Sequence, residues 1–120
     1  MSHIVQIQTE VRDAVALAAA CARLELPPPV HRTVRLFGAE ATGMAVELPG
    51  WRYPIVCQTE TGRVQYDNYQ GHWGEQRQLD RLIQMYAVEK TRIMARCEGH
   101  AITEHLLDDG SILLRMQVTA

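Results

Sequence analysis

Three consecutive prolines, Pro27-Pro28-Pro29, constrain this chain more than any other feature. Proline lacks an amide hydrogen and its ring holds φ at about −65°, so the run ends any helix and stiffens the link that follows. It separates a short first part from a longer second one. In the first part, residues 4–9 alternate as a strand, with Val5, Ile7 and Thr9 on one face. Thr9 or Asp13 can cap the helix that follows, because either side chain accepts an N–H from the first turn. That helix is expected to reach about Leu24, with Ala14, Leu17, Ala18, Cys21 and Leu24 as its apolar stripe. Small residues dominate the stripe, so the helix can lie close against a neighbour.

Beyond the prolines, four short strands follow one another. Residues 31–37 place Val34 and Leu36 on one face, and Met44, Val46 and Leu48 alternate cleanly. Pro49-Gly50 marks a turn. Tyr53, Ile55 and Cys57 share a face, with Pro54 at a strand start or edge. Glu60-Thr61-Gly62 turns the chain into Val64-Gln65-Tyr66. A loop rich in turn formers, residues 67–74, leads to a second helix over 75–98, which Gly99 stops. Leu79, Ile83, Tyr86, Ile93 and Cys97 form its stripe, while Met85 and Val88 fall towards the polar side and are candidates for a partner surface. Residues 102–107 and 112–118 form a hairpin around Asp108-Asp109-Gly110-Ser111. The reading is one α+β domain over 1–120, order β-α-β-β-β-β-α-β-β. Adjacent strands favour a mainly antiparallel sheet, with both helices packed on one face.

Charge and composition narrow the function classes. The net charge of −2 argues against a nucleic-acid partner engaged through bulk charge. The longest apolar run, residues 14–22, is too short to span a membrane and follows acidic Glu10 and Asp13, so neither an anchor nor a signal peptide is expected. Three scattered cysteines, Cys21, Cys57 and Cys97, argue against a disulfide framework and for a reducing, cytoplasmic setting. Their spacing matches no structural zinc motif, so no metal and no cofactor are expected. No nucleophile elbow, phosphate loop or paired catalytic constellation is present, and no catalytic residue is assigned.

Two features remain. Lys90 falls within the apolar stripe of the second helix, near Tyr86, and its ammonium must either reach outward or meet a partner; Asp67 and Glu60 are the candidates. A polar pocket there, beside Lys90, Tyr86 and Asp67, would make the chain a small enzyme or cofactor-binding domain. The second feature is aromatic. Trp51, Tyr53, Tyr66, Tyr69 and Trp73 hold most of the aromatic residues, and Trp and Tyr are typical interface anchors. Tyr66 reads as core, whereas Trp51, Tyr69 and Trp73 sit in turns, where packing and recognition compete as explanations. Asp67 and Asn68, at the junction of strand and loop, suit hydrogen bonding to loop amides. The leading reading is a non-enzymatic accessory or adaptor protein that binds a protein partner, or itself, through Trp51, Asp67, Asn68, Tyr69 and Trp73.

Several strings occur together: Met1-Ser2-His3, Ile7 with Thr9, Arg12-Asp13, Tyr66-Asp67-Asn68-Tyr69, Trp73-Gly74, Leu79-Asp80, Tyr86-Ala87-Val88-Glu89-Lys90 and Asp109-Gly110-Ser111-Ile112. In this combination the chain resembles the family named after hypothetical chloroplast open reading frame thirty-five, found in plastids, cyanobacteria and other bacteria. The match spans most of the chain and is weakest over residues 14–50. The resemblance supplies no catalytic residues and implies an accessory or assembly role.

Overall fold

The computed structural model describes residues 10–117 together with the backbone of residues 4–7. The Met1-Ser2-His3 string, the inward face of Val5, Ile7 and Thr9, the Thr9 cap and Val118 lie outside the described residues. The elements are β1 (Ile4–Ile7), α1 (Ala14–Arg23), β2 (Val30–Leu36), β3 (Ala39–Val46), β4 (Ile55–Gln58), β5 (Arg63–Asp67), α2 (Gln76–Cys97), β6 (Ala101–Leu106) and β7 (Ile112–Gln117). This is the expected α+β order, and every strand pair is antiparallel. β1 to β5 form one sheet in the order β1-β5-β4-β3-β2. The hairpin β6-β7 is a sheet of its own, where a single sheet was the expectation.

The separation follows from how α2 ends. Gly99 adopts φ +76°, which only glycine takes without strain, and the chain reverses there. The His100 N–H donates to the Ala95 carbonyl at 2.8 Å and the Gly99 N–H to Arg96 at 3.1 Å. This pair of bonds satisfies the last carbonyls of the helix and sends the hairpin back along α2. Ile112 and Leu114 then pack against the main core.

Both helices pack on the face of the sheet that carries Val46, Ile55, Cys57, Val64 and Tyr66, and their inward residues include Leu17, Cys21, Leu79, Leu82 and Tyr86. The opposite face holds a smaller cluster of Val34, Leu36, Ala41, Ala45 and Val56, with Tyr53 against it. The inward side of α1 is Ala16, Leu17, Ala20 and Cys21, so the helix is rotated from the expected stripe and Ala14 and Ala18 are exposed. With so many small apolar residues in sequence, composition alone does not choose the face. The wider surprise is α2. Met85 and Val88, read as outward, are 8 % and 4 % exposed. The hairpin covers that flank: Gln84 Nε2 donates to the Gly110 carbonyl at 3.0 Å, and Arg92 Nε donates to Glu104. Covered on two sides, α2 buries a far wider arc than a single stripe. Cys97, by contrast, is exposed in the last turn.

One ion cluster holds the two helices and the hairpin together. Glu104 on β6 accepts from Arg23 on α1 and from Arg92 on α2, and Arg23 also pairs with Glu89 at 3.1 Å. Hydrogen bonds from Arg23 first, and then from Arg92, hold the Glu104 carboxyl down at about 2. No helix among the described residues is long and apolar enough to cross a membrane.

Because the folded carboxyl titrates below its ordinary 4.5, the folded state binds fewer protons than the unfolded chain, and the stabilisation is complete above that value. Acid titration followed by circular dichroism should therefore show stability falling as pH drops from about 4.5 towards 2. Glu104→Gln should lose roughly 1–3 kcal/mol at neutral pH and show a shallower acid dependence. An unchanged acid profile in this variant would show that Glu104 is not the linked group.

Candidate functional site

The sequence-predicted residues divide between two places. Lys90 and Tyr86 lie where α2 meets the start of α1. Asp13 is the N-cap of α1, and its Oδ1 accepts from the Val15 and Ala16 N–H groups at 2.9 and 3.1 Å. Its Oδ2 accepts from Lys90 Nζ at 3.0 Å. The hydrogen bond from Lys90, with that from the Ala16 amide, lowers the Asp13 carboxyl, and Asp13 in turn raises the Lys90 ammonium. The Tyr86 hydroxyl oxygen accepts the backbone N–H groups of Arg12 and Asp13, both at 3.1 Å. Neither Asp67 nor Glu60 is the partner of Lys90. Asp67 sits on the face of β5 opposite Tyr66, and therefore away from the helices. Sequence reasoning had Asp13 as a cap and Lys90 as an amine in want of a partner; only the packing of α1 on α2 joins them.

The aromatic residues gather at the other place, where the β5-α2 loop crosses the end of the sheet. Trp51 belongs to the helix side. Its ring meets Tyr66 edge-on with centroids 5.7 Å apart, and its Nε1 donates to the Glu75 carbonyl at 3.1 Å. Gly74 lies flat on that indole: a Cβ there would fall 2.3 Å from Trp51 Cδ2. Trp51 is thus a half-buried packing residue that fixes the start of α2.

Trp73 belongs to the opposite side and is the hub of a second set of rings. Tyr69, Phe37 and Tyr53 surround it at centroid distances of 4.8, 5.5 and 5.7 Å. The Arg52 guanidinium lies 4.9 Å from the Trp73 ring centroid and 5.5 Å from that of Tyr53. The outer rim is open, with Phe37 42 % and Tyr69 38 % exposed. Tyr53 belongs to the aromatic set the sequence singles out, whereas Phe37 and Arg52 carry no sequence signal for the site. Phe37 and Arg52 lie in hairpin and turn positions far from the loop in sequence, and no local pattern ties them to Trp73.

Asp67 and Asn68 hold this loop from beneath. Asp67 is 1 % exposed, and its Oδ1 accepts from the Tyr69 N–H at 3.3 Å while its Oδ2 is buried without a partner among the described residues. Asn68 is 4 % exposed and donates to the Gly74 carbonyl and to Gln76 Oε1, both at 3.4 Å. Its own carbonyl accepts from the Gly71 and Trp73 N–H groups. Within the turn, Tyr69 and Gln70 take φ of 47° and 53°. Two consecutive non-glycine residues in the left-handed region are strained, and they persist where the surroundings impose them. Here the surroundings are the Asp67 and Asn68 bonds on one side and the ring stack on the other.

A separate open groove of about 970 Å³ runs between the first turns of α2 and the hairpin tip, over a floor that includes Met85 and Ile112. Lys90 and Tyr86 do not line it. Cys21 and Cys57 are buried, and loss of solvation pushes their thiols up to about 11 and about 12, so neither is an activated nucleophile. Among the described residues no group of three His, Cys, Asp or Glu side chains is placed to hold a metal ion. No known protein family, curated protein or solved structure matches the chain.

Tyr86→Phe should cost about 1–3 kcal/mol in chemical denaturation, because it leaves the Arg12 and Asp13 amides without their acceptor. Gly74→Ala should cost a similar 1–3 kcal/mol, since the methyl displaces the Trp51 indole, and tryptophan fluorescence should change with it. A wild-type midpoint in the Gly74→Ala variant would mean that the indole is not fixed against the loop.

Proposed function

We propose that this chain is a non-enzymatic accessory or adaptor protein that binds a protein partner, or a second copy of itself, through the rings around Trp73. The observation that carries the reading is the open aromatic rim in which Tyr69, on a strained, hydrogen-bonded loop, and Phe37, from the β2-β3 turn, flank Trp73. Large rings with few torsions lose little entropy on binding, and a loop fixed at both ends loses little more. Trp, Tyr and Arg are also the residue types that most often dominate interface energetics, and Trp73, Tyr69 and Arg52 meet at this surface. The ionisable groups elsewhere support the same reading. Asp13, Lys90 and Tyr86 join α1 to α2, and Glu104, Arg23 and Arg92 join both helices to the hairpin.

The second reading, a small enzyme or cofactor-binding domain with a pocket at Lys90 and Asp67, has less support, because Asp13 takes the Lys90 ammonium and Asp67 lies across the sheet. A cytoplasmic setting fits the buried free thiols of Cys21 and Cys57, which nothing crosslinks. Membership of the family named after hypothetical chloroplast open reading frame thirty-five remains our proposal. Among the described residues, the strings Arg12-Asp13 and Tyr86 to Lys90 form the helix junction, Tyr66 to Tyr69 and Trp73-Gly74 the end of β5 and the loop after it, and Asp109 to Ile112 the hairpin turn.

The test is partner capture by chemical crosslinking in the native cell. A Tyr69→Ala, Trp73→Ala double variant should keep its circular dichroism spectrum and lose the crosslinked partner, and Phe37→Ala should weaken capture without unfolding. Unfolding of the double variant with normal capture by Phe37→Ala would assign the rings to packing. Full capture by a folded double variant would move the surface elsewhere.

A further inference from the structure

We infer that the partner segment presents a carboxylate to Arg52, beside an apolar or aromatic side chain that rests on Tyr69 and Phe37. The inference deepens the proposed function and rests on it. Arg52 is exposed, yet its guanidinium is laid over the Trp73 and Tyr53 rings, and its backbone N–H donates to the Trp73 carbonyl at 2.8 Å. Among the described residues it is the one arginine stacked on aromatic rings. Its guanidinium carbon lies 4.9 Å from the Trp73 centroid and 5.5 Å from that of Tyr53, so the rings seat the cation on one side. Its side chain meets no acceptor among the described residues; Arg35, Arg63, Arg81, Arg96 and Arg115 share that lack, whereas Arg12, Arg23, Arg32, Arg77 and Arg92 are each paired to a carboxylate, and Arg52 alone combines it with a seat on aromatic rings.

An exposed guanidinium held over rings and without an acceptor offers its N–H fork to a carboxylate. A hollow of about 270 Å³, lined in part by Leu48, Trp51, Arg52 and Tyr53, opens beside the fork and gives the carboxylate room. Glu47 also lines it, but its carboxylate is turned to Arg32 at 3.9 Å and makes no pair with Arg52. A nucleic-acid phosphate is the lesser fit. One stacked guanidinium on a chain of net charge −2 offers no track of cations for a backbone to follow.

The experiment is selection from a phage library of random peptides of about 12 residues on the intact protein, followed by titration of one enriched synthetic peptide. The peptides are expected to carry Asp or Glu next to an apolar or aromatic residue. Arg52→Gln should weaken the chosen peptide by roughly tenfold or more, and replacing the peptide's acid by its amide should do the same. Arg52→Lys should fall between, because lysine has no fork, and binding should weaken with salt. Each variant is checked for wild-type circular dichroism. Enrichment of peptides without acids, or undiminished binding by Arg52→Gln while the Tyr69→Ala, Trp73→Ala variant loses it, would overturn the carboxylate and leave the aromatic surface standing. No enrichment, or equal binding by every variant, would overturn both. Tighter, Arg52-dependent binding of a short oligothymidylate than of any peptide would replace the protein partner with single-stranded nucleic acid.

Discussion

The start of α1 is the joint on which this structure turns. A short, alanine-rich helix is marginal by itself, since helix nucleation fixes several residues for one hydrogen bond. Here α2 supplies what α1 lacks. Tyr86 accepts two amides from the residues entering the helix, and Lys90 holds the carboxylate that caps it. One carboxylate therefore does two jobs, with Oδ1 turned to the helix and Oδ2 to the lysine. Because Tyr86 and Lys90 are four residues apart, they lie on one face of α2 and reach the same turn of α1. The junction fixes the direction of α1 across the sheet, and with it the burial of Leu17 and Cys21 against Cys57 and Val64.

The hairpin extends the same principle to the outer flank. Two strands alone are marginally stable in water. Glu104 binds an arginine from each helix, so the hairpin is fastened to both at once, and its apolar residues Ile112 and Leu114 close over α2. A helix covered by sheet and α1 on one side and hairpin on the other needs apolar residues around most of its circumference. That is why Met85 and Val88 are buried although a single-stripe reading turns them outward.

The sheet end differs in kind from these joints. Trp51 and Trp73 sit on opposite sides of it, one closing the core and the other leaving rings open to solvent. The same loop therefore divides its aromatics between packing and presentation. Left-handed Tyr69 and Gln70 show that the turn is imposed by its neighbours, Asp67 and Asn68 beneath and Trp73 above. The Arg52 guanidinium is seated over two rings of this platform, those of Trp73 and Tyr53.

The order of elements, the helix-ending prolines, the Asp13 cap and the Gly99 stop were all legible in the sequence, because each depends on local backbone chemistry. Strand alternation likewise placed Val34 with Leu36 and Ile55 with Cys57. The sequence also singled out Lys90 as an amine in need of a carboxylate, and Tyr69 and Trp73 as rings in a turn. It did not choose the carboxylate, since Asp13 lies 77 residues away and only helix packing brings it near. Nor did it choose the face of α1, where alanines on every side carry almost no directional signal. Met85, Val88, Phe37 and Arg52 were misplaced or unnoticed for one reason. Their environments are made by elements distant in sequence, and periodicity reports a residue's position on its own helix or strand but not what the fold lays against it.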